Sequence, residues 1–175
     1  MCSSDLYSSS GVGSTTHLSV ELLAVQAGVK FTHVPYKGSS QMIPDLIAGQ
    51  ISIAFDQITT AKPHVLAGKL RALGVSTLKP TPLMPGLSAI AESGVTGYES
   101  ISWNGFVAPA ATPRLVIERL QGDINRLIKT PEMVERFAAM GGEVAGGTPE
   151  QFATLIKSES ARWGQLIDRL GIKPQ

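Results

Sequence analysis

Between Tyr7 and Leu18 the chain reads YSSSGVGSTTHL, which sets small hydroxyl residues and two glycines directly ahead of a helical apolar pattern. That combination can hold an anion. Glycine turns the backbone without a Cβ penalty, and the first N–H groups of a helix point outward with the positive end of its dipole behind them. A carboxylate or a phosphate suits such a bend, and the hydroxyls of Ser9, Ser10, Ser14, Thr15 and Thr16 can add donors. The phosphate reading is the weaker. GVGSTTH has no lysine where a Walker loop needs one, and Thr16 stands where the dinucleotide fingerprint needs its third glycine. The same residues also read as a solvated loop capping a helix, and by themselves they leave both readings open.

A second chemistry would use Ser10, His17 and Asp56 as nucleophile, base and orienting acid of a hydrolase or transferase. No GxSxG elbow surrounds the serine, and His17 falls inside the helix that the loop opens. Neither His33 nor His64 has Cys, Asp or Glu at metal-binding spacing. The single Cys2 rules out an internal disulfide and a site built on several thiolates, so neither metal nor cofactor is expected. Lys37 reads as a solvated lysine ahead of one that draws anions into a cleft mouth, and Trp103 as a core aromatic ahead of one stacked near a cleft.

These residues need elements to hold them. Behind the loop, Leu18, Leu22, Leu23 and Val25 support a helix, with Gly28 as its stop. Val29–Tyr36 alternates as a strand ending at Pro35, and 40–49 fits a short helix containing Pro44. Ile51–Phe55 is the next strand. Asp56 at its end is placed either to reach a ligand crevice or to cap a helix over 59–67. A strand at 70–76, a proline-rich surface segment at 77–86 and a short helix at 87–92 follow. Strand–helix alternation predicts a parallel sheet with right-handed crossovers.

From 98 to 108 the pattern is strand-like with a bend at Asn104–Gly105. Three helices then each begin with a Thr-Pro pair, at Thr112, Thr130 and Thr148, as N-cap and first-turn proline. Thr148 and Gln151 form a capping box ahead of a stripe of Phe152, Leu155, Ile156, Trp163, Leu166, Ile167 and Leu170. Met133, Val134, Phe137 and Met140 are the buried side of the helix before it. Glu159 lies at the edge of the last stripe or contacts a part not present. The predicted organisation is 1–6 as an unexplained N-terminal scar, 7–102 as an α/β ligand-binding lobe, and 103–175 as hinge and helices of a second lobe.

At 175 residues, 43% hydrophobic and 17% charged, the chain can bury a core. A net charge of +1 with scattered basic residues argues against nucleic acid as a partner. No run approaches the roughly 20 apolar residues of a membrane span, and no export signal opens the chain. MCSSDL lacks periodicity and runs abruptly into the loop, which predicts an N-terminal truncation that removes a preceding strand.

Taken in order, YSSSGVGSTTHL, HVPYKGS, DLIAGQI, FD, AGKLRALGVS and SWNGFVAPAATP resemble the Bug family of extracytoplasmic solute receptors, the binding components of tripartite tricarboxylate transporters. The resemblance runs from Tyr7 to about Ile172. It implies a type II periplasmic-binding-protein-like lobe, with a parallel or mixed sheet and flanking helices, plus C-terminal helices of a second, incomplete lobe. It further implies no catalysis, a small carboxylate ligand, membrane permease components as partners without membrane insertion of its own, and a periplasmic location. The matching site positions are Ser9, Ser10, Gly11, Gly13, Ser14 and Thr15, with Asp56 as a second contact. Pro44, KPTPLMPGLSAIAESG and MCSSDL depart from the family's usual pattern. With one carboxylate-holding loop instead of two, weak or undetectable binding is expected.

Overall fold

The computed structural model describes residues 5–173. The expectations for residues 1–4, including Cys2, lie outside the described residues. Contacts divide the chain into two units, one comprising the residues up to Ser102 with those from Gly164, the other Trp103–Trp163.

The first unit holds a parallel three-stranded sheet in the order β2-β1-β3, with β1 at Leu6–Ser9, β2 at Thr32–Pro35 and β3 at Ile53–Ala54. Tyr7 pairs with His33 on one side and Ile53 on the other. Helices α1 (Thr15–Ala27) and α2 (Ser39–Ile47) connect the strands, α3 (Ile58–Leu66) follows β3, and a 3₁₀ turn comes later at Ile90–Glu92. The fold class read from the strand–helix alternation is the one observed.

The strand expected to be missing is present. Leu6–Ser9 is the central strand, although three of its four residues belong to the stretch read as loop. Serine carries no strong strand signal, but small side chains fit a strand covered on both faces, and Tyr7, Ser8 and Ser9 are fully buried. Gly28 ends α1 in the left-handed conformation at φ 67°, as its position predicted.

Two predicted strands do not form. Leu70–Ser76 makes only an isolated parallel bridge, Val75 with Ala89, and 98–108 makes none. Extended, apolar sequence becomes a strand only where a neighbour completes its ladder. Here the segment and β3 both line an apolar groove of about 710 Å³, together with Met42, Ile43 and Val65. Tyr98 and Ser100 instead anchor the end of the unit. The Tyr98 hydroxyl donates to the Ser19 carbonyl at 3.0 Å, and the Ser19 and Ser100 hydroxyls meet at 2.6 Å.

The second unit contains α4 (Arg114–Ile128), α5 (Pro131–Ala139) and most of α6 (Pro149–Leu170). The capping box forms as predicted, with Gln151 N–H donating to Thr148 Oγ1 at 3.2 Å and Thr148 N–H to Gln151 Oε1 at 2.9 Å. Thr130 is the N-cap of α5 with Pro131 at its first position, but Pro113, not Thr112, caps α4. The α6 stripe is largely open: only Leu166 is buried, while Leu155, Ile156 and Leu170 are exposed. Glu159 accepts from Trp163 Nε1 at 2.8 Å and from Arg162, so its recorded partners lie on its own helix. Trp103 is not core. It is 41% exposed and meets Phe152 edge to face.

Candidate anion-binding loop

The loop Ser10–Ser14 leaves the C-terminal end of the central strand and enters α1, which is where open α/β sheets present their ligand crevice. Gly11 at φ 139° and Gly13 at φ 75° make the reversal, conformations that side chains with a Cβ avoid. Ser14 is the N-cap, its Oγ accepting from His17 N–H at 3.2 Å and donating to the Gly11 carbonyl at 2.7 Å.

Several of the amides read as ligand donors are engaged within the loop. Ser10 N–H donates to Thr16 Oγ1 at 2.9 Å, Gly11 N–H to Ser9 Oγ at 3.2 Å, Gly13 N–H to His17 Nδ1 at 3.1 Å and Ser14 N–H to the Gly11 carbonyl at 3.2 Å. Among the described residues, the amides of Val12, Thr15 and Thr16 have no acceptor. Thr15 and Thr16 are the first two residues of α1, so their N–H groups are the helix's open donors.

Thr16 organises the loop. Besides Ser10 N–H, its hydroxyl meets Ser10 Oγ at 2.9 Å and Ser14 Oγ at 3.0 Å. Because Ser14 gives its hydrogen to Gly11, the Thr16 hydrogen completes the Ser14 contact and Ser10 Oγ–H is left to point at Thr16 or outward. Thr16 belongs to the same hydroxyl run, and its position two residues after the N-cap is the signal that it turns back toward the loop.

Beneath the loop lies an aromatic and histidine platform that the sequence reading missed. His17 of α1 stacks on His33 of β2 with centroids 4.1 Å apart, and Tyr7 of β1 stacks on His33 at 4.8 Å. Tyr7 O–H donates to Glu21 Oε1 at 2.6 Å, while His17 Nε2 stands 3.9 Å from the same oxygen. His33 Nε2 is 2.7 Å from Ser9 Oγ. Burial first, and the neighbouring His17 second, push His33 down to about 4. Burial also pushes His17 down against the opposing pull of Glu21, and Tyr7 is pushed well up by burial and by its hydrogen bond to Glu21.

Asp56 follows β3 at the same end of the sheet. Its Oδ1 accepts from Ser39 Oγ at 2.7 Å and its Oδ2 from Thr60 Oγ1 at 2.7 Å, so it ties the start of α2 to the first turn of α3. It is not the cap of α3, a position held by Gln57. Ser9, Ser10, Gly11, Gly13, Ser14 and Thr15 therefore lie along one stretch from the end of β1 through the loop to the start of α1, with Asp56 just past the end of the neighbouring strand. Ser9 is the last strand residue and fully buried.

The three groups of the hydrolase reading do not share hydrogen bonds. Ser10 Oγ meets Thr16, His17 Nδ1 meets Gly13, and Asp56 meets Ser39 and Thr60. The serine–histidine contact that does form, Ser9 with His33, is made by a serine with no exposure to an attacked substrate. Among the described residues no three His, Cys, Asp or Glu gather as a metal site, and no helix is long and apolar enough to cross a membrane.

The family described as tripartite tricarboxylate transporter family receptor matches residues 5–172. A UPF0065 protein in the tcbD-tcbE intergenic region of Pseudomonas sp. strain P51 is 44% identical over 162 residues, which covers 92% of this chain and 48% of that protein. The solved structure of R. palustris Rpa4515 with adipate matches with a TM-score of 0.85 and 36% identity over 97% of this chain and 57% of the other. The periplasmic binding protein BugD matches with a TM-score of 0.80 and 30% identity, again over 97% and 57%. The chain thus spans about half the length of these relatives.

Proposed function

The chain belongs to the tripartite tricarboxylate transporter family of receptors, and from that premise we propose that it supplies a carboxylate-holding face of a solute-binding receptor. BugD is a periplasmic binding protein, and the reading includes no catalytic step. The observation that carries it is the pair of open amides at Thr15 and Thr16, heading a thirteen-residue helix at the C-terminal edge of the sheet. Fixed N–H donors backed by a helix dipole stabilise a carboxylate without reorganising. Val12 N–H and the hydroxyls of Ser10 and Thr15 extend the donor set around them.

The internal bonds of Ser9, Gly11, Gly13 and Ser14 give these residues a shaping role in that site, holding the bend that carries the Val12, Thr15 and Thr16 amides, of which Thr15 belongs to an exposed residue and Thr16 to a buried one. Asp56 contributes by fixing the Ser39 hydroxyl and offers its remaining lone pairs to a ligand hydroxyl or ammonium. The adipate in the Rpa4515 structure supports a small carboxylate as the ligand class. The family description supports transporter membrane components as partners, and the name of BugD supports the periplasm as the place of action. A donor set open to water holds an anion weakly, so a facing lobe that closes over it would raise the affinity.

Titration of adipate followed by amide NMR tests this reading. Thr15→Pro removes one donor, while proline is accepted at the first position of a helix and Ser14 already has the extended conformation that precedes it. Adipate is expected to shift the amides of Val12, Thr15 and Thr16. Thr15→Pro is expected to weaken binding by about tenfold, or about 1.4 kcal/mol. Adipate that moves none of these amides, or that binds Thr15→Pro equally well, would refute the proposal.

A further inference from the structure

The loop is held from below by one imidazole nitrogen. Gly13 N–H donates to His17 Nδ1 at 3.1 Å, so that nitrogen carries a lone pair and the proton of the neutral ring sits on Nε2, facing Glu21 at 3.9 Å. We propose that His17 is a positioning residue for the anion-binding loop, a latch that holds Gly13 while its ring is neutral and releases it when Nδ1 takes up a proton.

The chemistry of the release is simple. A proton from solvent occupies the Nδ1 lone pair, the acceptor disappears, and two N–H donors are left facing each other. Gly13 then loses its side-chain anchor, and as a glycine it is free to take other backbone conformations. The neighbouring amides of Val12, Thr15 and Thr16 belong to the same bend and follow it.

Burial opposes that proton and the Glu21 carboxylate favours it. His33 of β2 lies against the ring at 4.1 Å, and Tyr7 of β1 stacks parallel to it at 6.3 Å. Glu21, one turn along α1, is the carboxylate recorded near the ring, and its Oε1 already accepts the Tyr7 hydroxyl. His17 itself is 5% exposed. The balance of these groups agrees with the downward shift of both histidines. Nothing else among the recorded contacts accepts the Gly13 amide.

The effect on binding rests on the carboxylate reading above, whereas the latch can be read in the unliganded protein. Nitrogen-15 NMR of the His17 ring and the Gly13 amide is followed across acidic and neutral pH, in wild type and in His17→Asn. Asparagine offers an acceptor near the place of Nδ1 and does not titrate. In wild type, Nδ1 is expected to be the unprotonated nitrogen at neutral pH, with the Gly13 amide shifting at the same midpoint as the ring. In His17→Asn that shift is expected to vanish. Adipate takes up protons itself on acidification, so its affinity is compared between the two proteins at each pH, with an extra loss expected only in wild type.

A Nδ1-protonated neutral ring overturns the latch, as does a Gly13 amide that ignores His17 titration. Equal adipate loss in both proteins would remove its role in binding. If Gly13 follows His17 while adipate binds at no pH, the receptor reading fails and the latch stands. The wild-type ring measurement decides the matter even if the variant does not fold.

Discussion

His17 and His33, sixteen residues apart in sequence, lie face to face with ring centroids 4.1 Å apart and planes inclined by 23°. Each touches the candidate loop by a different route: His17 through the Gly13 amide and His33 through the Ser9 hydroxyl. Two stacked imidazoles with one nearby carboxylate suit the neutral forms of both, since a charge on either ring repels a charge on the other. The loop that carries the open donors therefore stands on a platform whose protonation state matters.

The first prediction concerns acid. The folded-state value of His33, about 4, lies below its ordinary 6.5, so in that interval the unfolded chain binds more protons. Its contribution to stability is complete above about 6.5 and is lost progressively as the pH falls to about 4. Urea denaturation across this interval should give stability that rises with pH, and His33→Gln should flatten the slope. Identical slopes for the two proteins would contradict it.

The second concerns the two loop glycines. A Cβ at Gly13 meets nothing within 4 Å, so Gly13→Ala carries only the conformational cost of its φ of 75°, about 1–2 kcal/mol. Gly11, at φ 139°, lies where residues other than glycine are rarely found, and its Cβ would stand 3.5 Å from the Tyr36 carbonyl oxygen. Gly11→Ala should therefore destabilise more than Gly13→Ala in denaturant titrations. The reverse order would show that the loop's curvature is set elsewhere.

The third concerns the buried hydroxyl pair. Ser19 is 1% exposed and Ser100 3%, and their oxygens are 2.6 Å apart. Ser19→Ala leaves the Ser100 hydroxyl without that partner and should cost about 1–3 kcal/mol. Removing both hydroxyls should cost less than the sum of the single changes, because neither is then left alone. Additive losses would mean that the pair is not coupled.

Much of the local architecture is legible along the chain. Gly28 stops α1, Thr148 and Gln151 build their box, and the two glycines bend the loop, because a cap or a tight turn depends on residues within about four positions of one another. Strand–helix alternation similarly specifies a parallel sheet. The central strand was harder to read, since Leu6–Ser9 carries hydroxyls in place of the usual apolar run.

What the chain could not declare is which polar groups remain open. Ser10, Gly11, Gly13 and Ser14 are as plausible donors as Thr15 on sequence alone; the conformation of the bend turns Thr16, Ser9 and His17 onto three of them and closes the turn on the fourth. The sequence by itself determined a glycine-bent, hydroxyl-rich entry to a helix, because that needs only neighbours. The tertiary structure alone decided that His33 stands opposite Tyr7 and beneath His17, and that 70–76 has no ladder. Register and crossover, not local preference, choose which distant groups share a hydrogen bond.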